Sequence, residues 1–180
     1  LAIGYRHIDT AQMYGNEAEV GAALKASGLR RDELFVTTKI WPDRQRGGLL
    51  QRSACQSLER LQLDAVDLLL LHWPAHDVPL AETMAALVEC AERGWARTIG
   101  VSNFTCAMIA EAVRLAVRPL ATDQVEYHPF LGQGPVLETC RRHGMALTAY
   151  CPLARGRVFR DPVLARIGQR HGKTAGQVAL

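Results

Sequence analysis

The chain lacks the cysteine patterns of metal-binding and disulfide-rich proteins. No Cys-x-x-Cys pair occurs, and the cysteines are odd in number and scattered: Cys55, Cys90, Cys106, Cys140 and Cys151. This distribution argues against a disulfide framework or a zinc ribbon. Reduced thiols are the simplest interpretation, so we expect a cytoplasmic protein.

Long apolar runs and blocks of like charge are also missing. The most apolar stretch, Val66–Leu71, is far too short to cross a membrane. The net charge of the 180 residues is +3, and the sequence has no long basic run. We therefore expect neither a membrane nor a nucleic acid among the partners of the protein.

Glycine-rich nucleotide-binding motifs are absent from the positions where they would function. No Gly-x-Gly-x-x-Gly follows a predicted strand, so a dinucleotide would not be bound in the Rossmann manner. Residues 168–174 resemble a Walker loop but are too few and lie between helical stretches.

What the chain does contain is one pattern repeated six times: a short apolar run, a polar ending, a loop and a helical stretch. The endings are at Asp9, Lys39, His72, Ser102-Asn103, residues 124–126 and Tyr150. Alternating strands and helices predict a parallel sheet covered by helices, here an α/β fold of the (β/α)8 TIM barrel type. No linker interrupts residues 1–180, which we interpret as one partial barrel domain.

Six βα units are fewer than the eight that close such a barrel. The sequence begins almost inside its first strand and stops inside a helical pattern at Leu180. We therefore expect an incomplete barrel, with one strand missing before Leu1 and one after Leu180.

Local signals predict the bounds of several elements. Strands are predicted over residues 34–39, 66–71, 122–126 and 146–149, and helices over about 49–61 and 81–93. Asn16, with Glu19 three residues later, has the spacing of a capping box and predicts the start of the first helix.

Four residues near the first three strand ends form a candidate catalytic group. The carboxyl ends of barrel strands meet at one face, which would bring Asp9, Lys39 and His72 together with Tyr14 of the first loop. A cation favours the phenolate form of tyrosine, so Lys39 is a candidate to activate Tyr14, with Asp9 holding Lys39. His72 would donate to a substrate oxygen or share a proton with Tyr14. Each residue alone is more simply explained as a turn or a solvated strand end, but their joint placement favours catalysis.

A second group lies at the later strand ends: Ser102, Asn103, Gln124 and Tyr150. Two amides and a hydroxyl suit a planar carboxamide, and a tyrosine ring suits stacking on a flat heterocycle. This combination fits a nicotinamide, although hydrogen bonding at the barrel rim explains the same residues equally well.

Two loop features complete the predicted pocket. The loop containing Pro152, Leu153, Arg155 and Gly156 is predicted to wrap a pyrophosphate, or else is an ordinary tight turn. Trp41 and Trp73 are predicted to form an aromatic mouth for a small substrate, or else are structural tryptophans.

A metal site is the weakest interpretation of these residues. His7, Asp9, His72 and His128 could imitate one, but the His-x-His pair usual in barrel metal hydrolases is missing. We expect no metal.

Taken together, these segments resemble the aldo-keto reductase family. The resemblance is carried, in order, by residues 4–11 with 14–17, then 38–41, 71–74, 100–104, 124–129 and 149–156. It covers essentially the whole chain and is strongest to bacterial members of the group that contains 2,5-diketo-gluconate reductase.

The resemblance implies a barrel that binds NADPH in extended form and reduces aldehydes or ketones, with keto sugars and ketoacids as candidate substrates. By position, Asp9, Tyr14, Lys39 and His72 would be the catalytic tetrad, with Tyr14 as the general acid. Ser102, Asn103 and Gln124 would hold the carboxamide and Tyr150 would stack on the ring.

The family's segment for the adenosine 2′-phosphate would lie beyond Leu180, so NADP rather than NAD is expected from the family alone. The full-length protein is expected to be a monomer. The alternative function is a non-catalytic NADP(H)-binding barrel that acts as a redox sensor or a regulatory subunit.

Overall fold

The computed structural model describes residues 1–180. The strands are β1 His7–Asp9, β2 Phe35–Ile40, β3 Val66–Leu71, β4 Ala96–Ser102, β5 Thr122–Glu126 and β6 Ala146–Tyr150. The helices are α1 Glu17–Ala26, α2 Leu49–Leu61, α3 Leu80–Glu92, α4 Cys106–Ala116, α5 Gly134–Arg142, α6 Pro162–His171 and α7 Ala175–Ala179. Short 3-10 turns occupy Gln12–Tyr14, Arg31–Glu33, Pro42–Arg44 and Ala154–Arg160.

The six strands form one parallel sheet in chain order. Each strand pairs with the next, from β1 beside β2 to β5 beside β6. Each of these connections contains a helix, as parallel neighbours require. The predicted repeat of strand, loop and helix is therefore confirmed.

The apolar core lies between the sheet and its helices. All six residues of β3 are buried, whereas every residue of the edge strands β1 and β6 is partly or fully exposed. A central parallel strand covered on both faces is expected to be apolar along its whole length, as β3 nearly is. None of the seven helices is long and apolar enough to span a membrane.

The sheet curls, so that distant strands meet across its concave face. Gln124 on β5 donates a hydrogen bond of 2.8 Å from Nε2 to Oδ2 of Asp9 on β1. Three strands separate β1 from β5 in the sheet order, so a flat sheet would not allow this contact. The fold is the predicted incomplete (β/α)8 barrel, with the strand ends converging on one face.

Most predicted bounds agree with the structure, and one local prediction was wrong. The bounds of β3, β5 and α2 are those predicted, while β2 begins one residue later and α3 one residue earlier. Asn16 precedes α1 as predicted, but its side chain caps no backbone N–H. Its Oδ1 instead accepts a bond of 2.7 Å from the buried hydroxyl of Thr10, which needs an acceptor at this depth.

Candidate functional site

The four predicted catalytic residues lie together at the carboxyl end of the sheet. Asp9 is the last residue of β1, Lys39 is the penultimate residue of β2, and His72 directly follows β3. Tyr14 ends the 3-10 turn that follows β1, and Gly15 closes that turn in a left-handed conformation with φ of 65°. Such a conformation favours glycine, so the chain can reverse directly after Tyr14.

Lys39 is a fully buried cation held by β1. Its side chain has no solvent exposure, and Nζ donates to the Asp9 carboxylate and, at 3.0 Å, to the carbonyl oxygen of Thr10. The same Nζ lies 5.1 Å from the centroid of the Tyr14 ring. A buried charge without a partner is strongly unfavourable, and the Asp9 carboxylate is the partner of Lys39 beside Tyr14.

His72 is a neutral imidazole wedged between two aromatic rings. The Tyr14 and Trp41 ring centroids lie 5.8 and 5.0 Å from that of His72, both edge-on. Burial, followed by the charge of Lys39, lowers the pKa of His72 to about 4, although the Asp9 carboxylate opposes this shift. Its Nδ1 is buried without a hydrogen-bond partner. At neutral pH His72 therefore offers one N–H and one lone pair rather than a charge.

One cavity of about 450 Å³ is lined by two of the candidate catalytic residues and by three residues of the second predicted group. Its lining is Met13, Tyr14, Trp41, His72, Trp73, Asn103, Gln124, Tyr150 and Cys151. Both predicted mouth tryptophans are thus in the same cavity wall as Tyr14 and His72. This volume suits a small ligand, and its walls combine aromatic rings with few polar groups, as ligand cavities usually do.

The polar residues of the second group form a connected network. The Ser102 hydroxyl donates to the carbonyl oxygen of Gln124 at 2.7 Å, and Asn103 Nδ2 donates to Ser102 Oγ and to the carbonyl oxygen of His72, both at 3.0 Å. The Tyr150 hydroxyl donates to Asn103 Oδ1 at 2.8 Å. Burial is the main reason that the pKa of Tyr150 is raised, so this hydroxyl stays protonated. Ser102 thereby orients Asn103 instead of offering its hydrogen to a ligand.

The hydrogen-bond donors and acceptors that this network leaves free fit a carboxamide. Gln124 uses one Nε2 hydrogen on Asp9, which leaves one N–H and Oε1 available. Asn103 has donated both amide hydrogens, and Oδ1 retains one lone pair. A nicotinamide carboxamide needs one donor for its oxygen and acceptors for its NH₂ group. Gln124 and Asn103 offer these at the cavity wall.

The predicted pyrophosphate loop has an unusual backbone and lies outside that cavity, apart from Cys151. Cys151, Ala154, Arg155 and Gly156 all have positive φ, between 47° and 88°. The N–H groups of Ala154 and Gly156 are already donated to carbonyl oxygens within the loop. Arg155 and Gly156 instead line a small polar cavity with Arg157 and Arg160. The loop therefore offers guanidinium groups to an anion more readily than it offers those two N–H groups.

Pro152 and Leu153 lie in the loop after β6, outside the cavity of Tyr14. Pro152 lines a separate cavity of about 530 Å³ that also contacts Tyr127 and the end of α7. The carbonyl oxygen of Leu153 accepts the N–H of Gly156 at 2.9 Å. Both residues shape the loop after β6 and neither lines the cavity of Tyr14.

Sequence reasoning missed one residue that organises the cavity wall. Gln45 is fully buried, and its Nε2 donates to the carbonyl oxygens of Ile40 and Trp73 at 3.2 and 2.8 Å. It thereby ties the loop after β2 to the loop after β3. A polar residue in an irregular loop with proline and glycine gives no sequence signal of such burial. The structure contains no group of three or more histidine, cysteine or acidic side chains arranged to hold a metal ion.

Comparison with known proteins identifies relatives along the whole chain. The family described as "Aldo/keto reductase family" matches residues 1–180. The methylglyoxal reductase DkgB of Escherichia coli O157:H7 is 43% identical over 183 residues, which cover 100% of this chain and 68% of that protein. An aldo-keto reductase of Mycobacterium avium is 43% identical over 181 residues and is covered to 63%.

Solved structures agree with these relatives. A crystal structure described as a 2,5-diketo-D-gluconic acid reductase B superposes with a TM-score of 0.97 at 54% identity, over 99% of this chain and 63% of the other. The aldose reductase of Schistosoma japonicum superposes with a TM-score of 0.93 at 31% identity, over 98% and 66%. The chain thus spans about two thirds of the length of the proteins it matches. It belongs to the aldo/keto reductase family.

Proposed function

We propose that the protein reduces the carbonyl group of a small aldehyde or ketone to an alcohol, with NADPH as the hydride donor. The observation that carries this proposal is the placement of Lys39, fully buried and paired with Asp9, beside the ring of Tyr14. A buried cation next to a half-exposed phenol is suited to proton transfer at that phenol. NADPH, when bound, would supply the hydride for the carbonyl carbon.

Tyr14 is proposed to donate the proton that the reduction requires. As negative charge develops on the carbonyl oxygen, the Tyr14 hydroxyl hydrogen bonds to that oxygen and transfers its proton to it. The resulting phenolate is stabilised by the positive charge of Lys39, which Asp9 holds in place. Tyr14 is 52% exposed, so water can return a proton to it after the reaction.

His72 is proposed to orient the carbonyl oxygen rather than to supply the proton. Its pKa of about 4 leaves it neutral at physiological pH, so it carries no spare acidic proton. A neutral N–H directed into the cavity can still donate a hydrogen bond to the same oxygen that Tyr14 protonates. Trp41 and the Tyr14 ring fix the imidazole edge-on and so limit its rotation.

Gln124, Asn103 and Tyr150 are proposed to hold the nicotinamide, with Ser102 supporting Asn103. The free N–H of Gln124 and the acceptors on Gln124 and Asn103 match the two halves of a carboxamide. Arg155, on the loop with Pro152, Leu153 and Gly156, is proposed to contact the pyrophosphate. The preference for NADP over NAD is proposed from family membership.

The proposed substrates are small polar carbonyl compounds. Two of the relatives are named for methylglyoxal and for 2,5-diketo-D-gluconic acid, both dicarbonyl compounds. Trp41 and Trp73 line the cavity beside Tyr14 and would contact the body of such a substrate. We also propose that the full-length protein is a cytoplasmic monomer, since the five cysteines of residues 1–180 are free thiols and one chain lines the cavity of Tyr14.

An assay of NADPH consumption tests this function directly. Full-length protein mixed with NADPH and methylglyoxal should consume NADPH and release an equal amount of alcohol product. A regulatory barrel that only binds the cofactor would bind NADPH without consuming it in the presence of any of a panel of aldehydes and ketones.

A further inference from the structure

Asp123 is a buried carboxyl on the opposite side of β5 from the catalytic cavity. Its neighbour Gln124 faces that cavity, and strand alternation directs Asp123 toward the helices. The residue has no solvent exposure. Its Oδ1 accepts the backbone N–H of Phe104 at 3.4 Å, and its Oδ2 is buried without a hydrogen-bond partner.

Two consecutive residues of β5 hold the segment that follows β4. The carbonyl oxygen of Gln124 accepts the Ser102 hydroxyl at 2.7 Å and the N–H of Asn103 at 3.0 Å. The Asp123 carboxyl accepts the next N–H along the chain, that of Phe104. The segment is therefore fixed from the cavity side and from the helix side.

Asn103 lies between these two attachments in a left-handed conformation, with φ of 63°. Such a conformation is unfavourable for most residues, although asparagine tolerates it better than others. It persists only where the surroundings determine it. The bonds to Asn103 N–H and Phe104 N–H are those surroundings, and they direct the Asn103 side chain toward Tyr150 and the cavity.

No cation compensates the Asp123 carboxyl. Burial raises its pKa to about 7, and the hydrogen bond from Phe104 only partly opposes this shift. The thiol of Cys140 on α5 lies near it, and the charge of Asp123 contributes to the raised pKa of Cys140. Ionisation of Asp123 would therefore place an unpaired negative charge behind the segment 102–104.

We propose that Asp123 is a positioning residue for the cofactor. By accepting the N–H of Phe104, Asp123 fixes Asn103 and so sets the affinity of the protein for NADPH. The inference rests on the function proposed above. Asp123 touches neither the cavity nor the reacting atoms, so it acts only through Asn103. Its carboxyl oxygen holds the segment from the helix side through this one bond.

Two substitutions separate the hydrogen bond from the charge. Asp123→Asn keeps an acceptor oxygen and cannot ionise, whereas Asp123→Leu has a similar volume and no acceptor. Asp161→Asn is the matched control, because Asp161 also accepts backbone N–H groups but does so at the start of α6. The readout is the dissociation constant for NADPH, measured by fluorescence titration of the full-length protein between pH 6 and pH 8.5.

The expected results follow from these roles. Asp123→Leu should raise the dissociation constant about tenfold at pH 6, which corresponds to about 1.4 kcal/mol, the upper range for one hydrogen bond. Asp123→Asn should keep the dissociation constant within about twofold of the wild-type value, because its amide oxygen still accepts the N–H of Phe104. Asp161→Asn should follow the wild-type protein at every pH.

Several outcomes would overturn the inference. An unchanged dissociation constant in Asp123→Leu, or an equal rise in Asp123→Asn and Asp123→Leu, would show that the hydrogen bond from Phe104 does not set the affinity for NADPH. If Asp123→Leu proves unfolded by circular dichroism, Asp123→Ala, which also removes the acceptor, takes its place in the comparison with Asp123→Asn. Failure of the wild-type protein to bind NADPH at all would instead overturn the proposed function on which the inference rests.

Discussion

Asp9 on β1 is bound by two residues at once: Gln124 Nε2 donates to its Oδ2 at 2.8 Å, and Lys39 Nζ donates to its Oδ1. A single carboxylate thus connects the proposed proton-transfer group with the proposed nicotinamide group. Because both oxygens are engaged, the carboxylate cannot rotate away from Lys39 without losing the contact with β5.

Replacement of Asp9 should impair both catalysis and folding. Asp9→Asn leaves Lys39 buried without a negative partner, which typically costs about 3–5 kcal/mol. We expect kcat/KM for a small aldehyde to fall by about 10²-fold or more, and the free energy of unfolding in urea to decrease. Asp43→Asn is the control, because Asp43 pairs only with an exposed arginine in the loop after β2. Near-normal kcat/KM in Asp9→Asn would contradict the role of the Asp9–Lys39 pair.

Replacement of Gln124 should act mainly on the cofactor. Gln124→Leu removes the free N–H proposed for the carboxamide and also the bond to Asp9. We expect the dissociation constant for NADPH to rise about tenfold, as for the loss of one or two hydrogen bonds. Gln133→Leu is the matched control, since Gln133 donates to a carbonyl oxygen outside the cavity. Equal NADPH affinity of Gln124→Leu and Gln133→Leu would remove Gln124 from the proposed site.

The strand ends show why so much of this site is predictable from sequence. Lys39 and His72 follow runs of strand-forming residues, and the carboxyl ends of parallel strands share one face in any barrel. Their convergence therefore follows from topology, without knowledge of individual contacts. The alternation of side chains along β5 likewise places Gln124 in the interior once the strand is identified.

The contacts between distant residues are less predictable. The bond between Gln124 and Asp9 depends on the curvature of the whole sheet, which no local pattern specifies. Asn16 has the spacing of a cap, yet the turn after β1 brings it close to Thr10, whose hydroxyl donates to its side-chain oxygen. Gln45 is buried where the carbonyl oxygen of Ile40, at the end of β2, and that of Trp73, in the loop after β3, both accept from its side chain. These features depend on tertiary packing, which overrides local preference.

The neutral state of His72 predicts a pH dependence of stability. The folded pKa of His72 is about 4, below its value of about 6.5 in an unfolded chain. As pH falls from about 6.5 toward 4, His72 becomes protonated in the unfolded chain but stays neutral in the folded chain. The free energy of unfolding therefore decreases. We expect His72 to contribute a loss of about 2–3 kcal/mol between pH 7 and pH 4.5.

Urea denaturation at these two pH values measures that contribution. His72→Gln should lose less stability on acidification than the wild-type protein, because glutamine does not titrate. His76→Gln, at an exposed position after β3, should behave as the wild-type protein does. Equal acid sensitivity in wild type and His72→Gln would argue against a neutral, buried His72.

The central claim is that Tyr14 donates the proton in carbonyl reduction, and Tyr14→Phe tests it most directly. This substitution keeps the ring that contacts Lys39 and His72 and removes only the hydroxyl. Tyr127→Phe is the control, because Tyr127 lines a different cavity. In the full-length protein, Tyr14→Phe should lower kcat for methylglyoxal by about 10²- to 10⁴-fold, the usual contribution of a general acid, with the dissociation constant for NADPH within about twofold of wild type. Undiminished kcat in Tyr14→Phe, with NADPH still bound, would contradict the account.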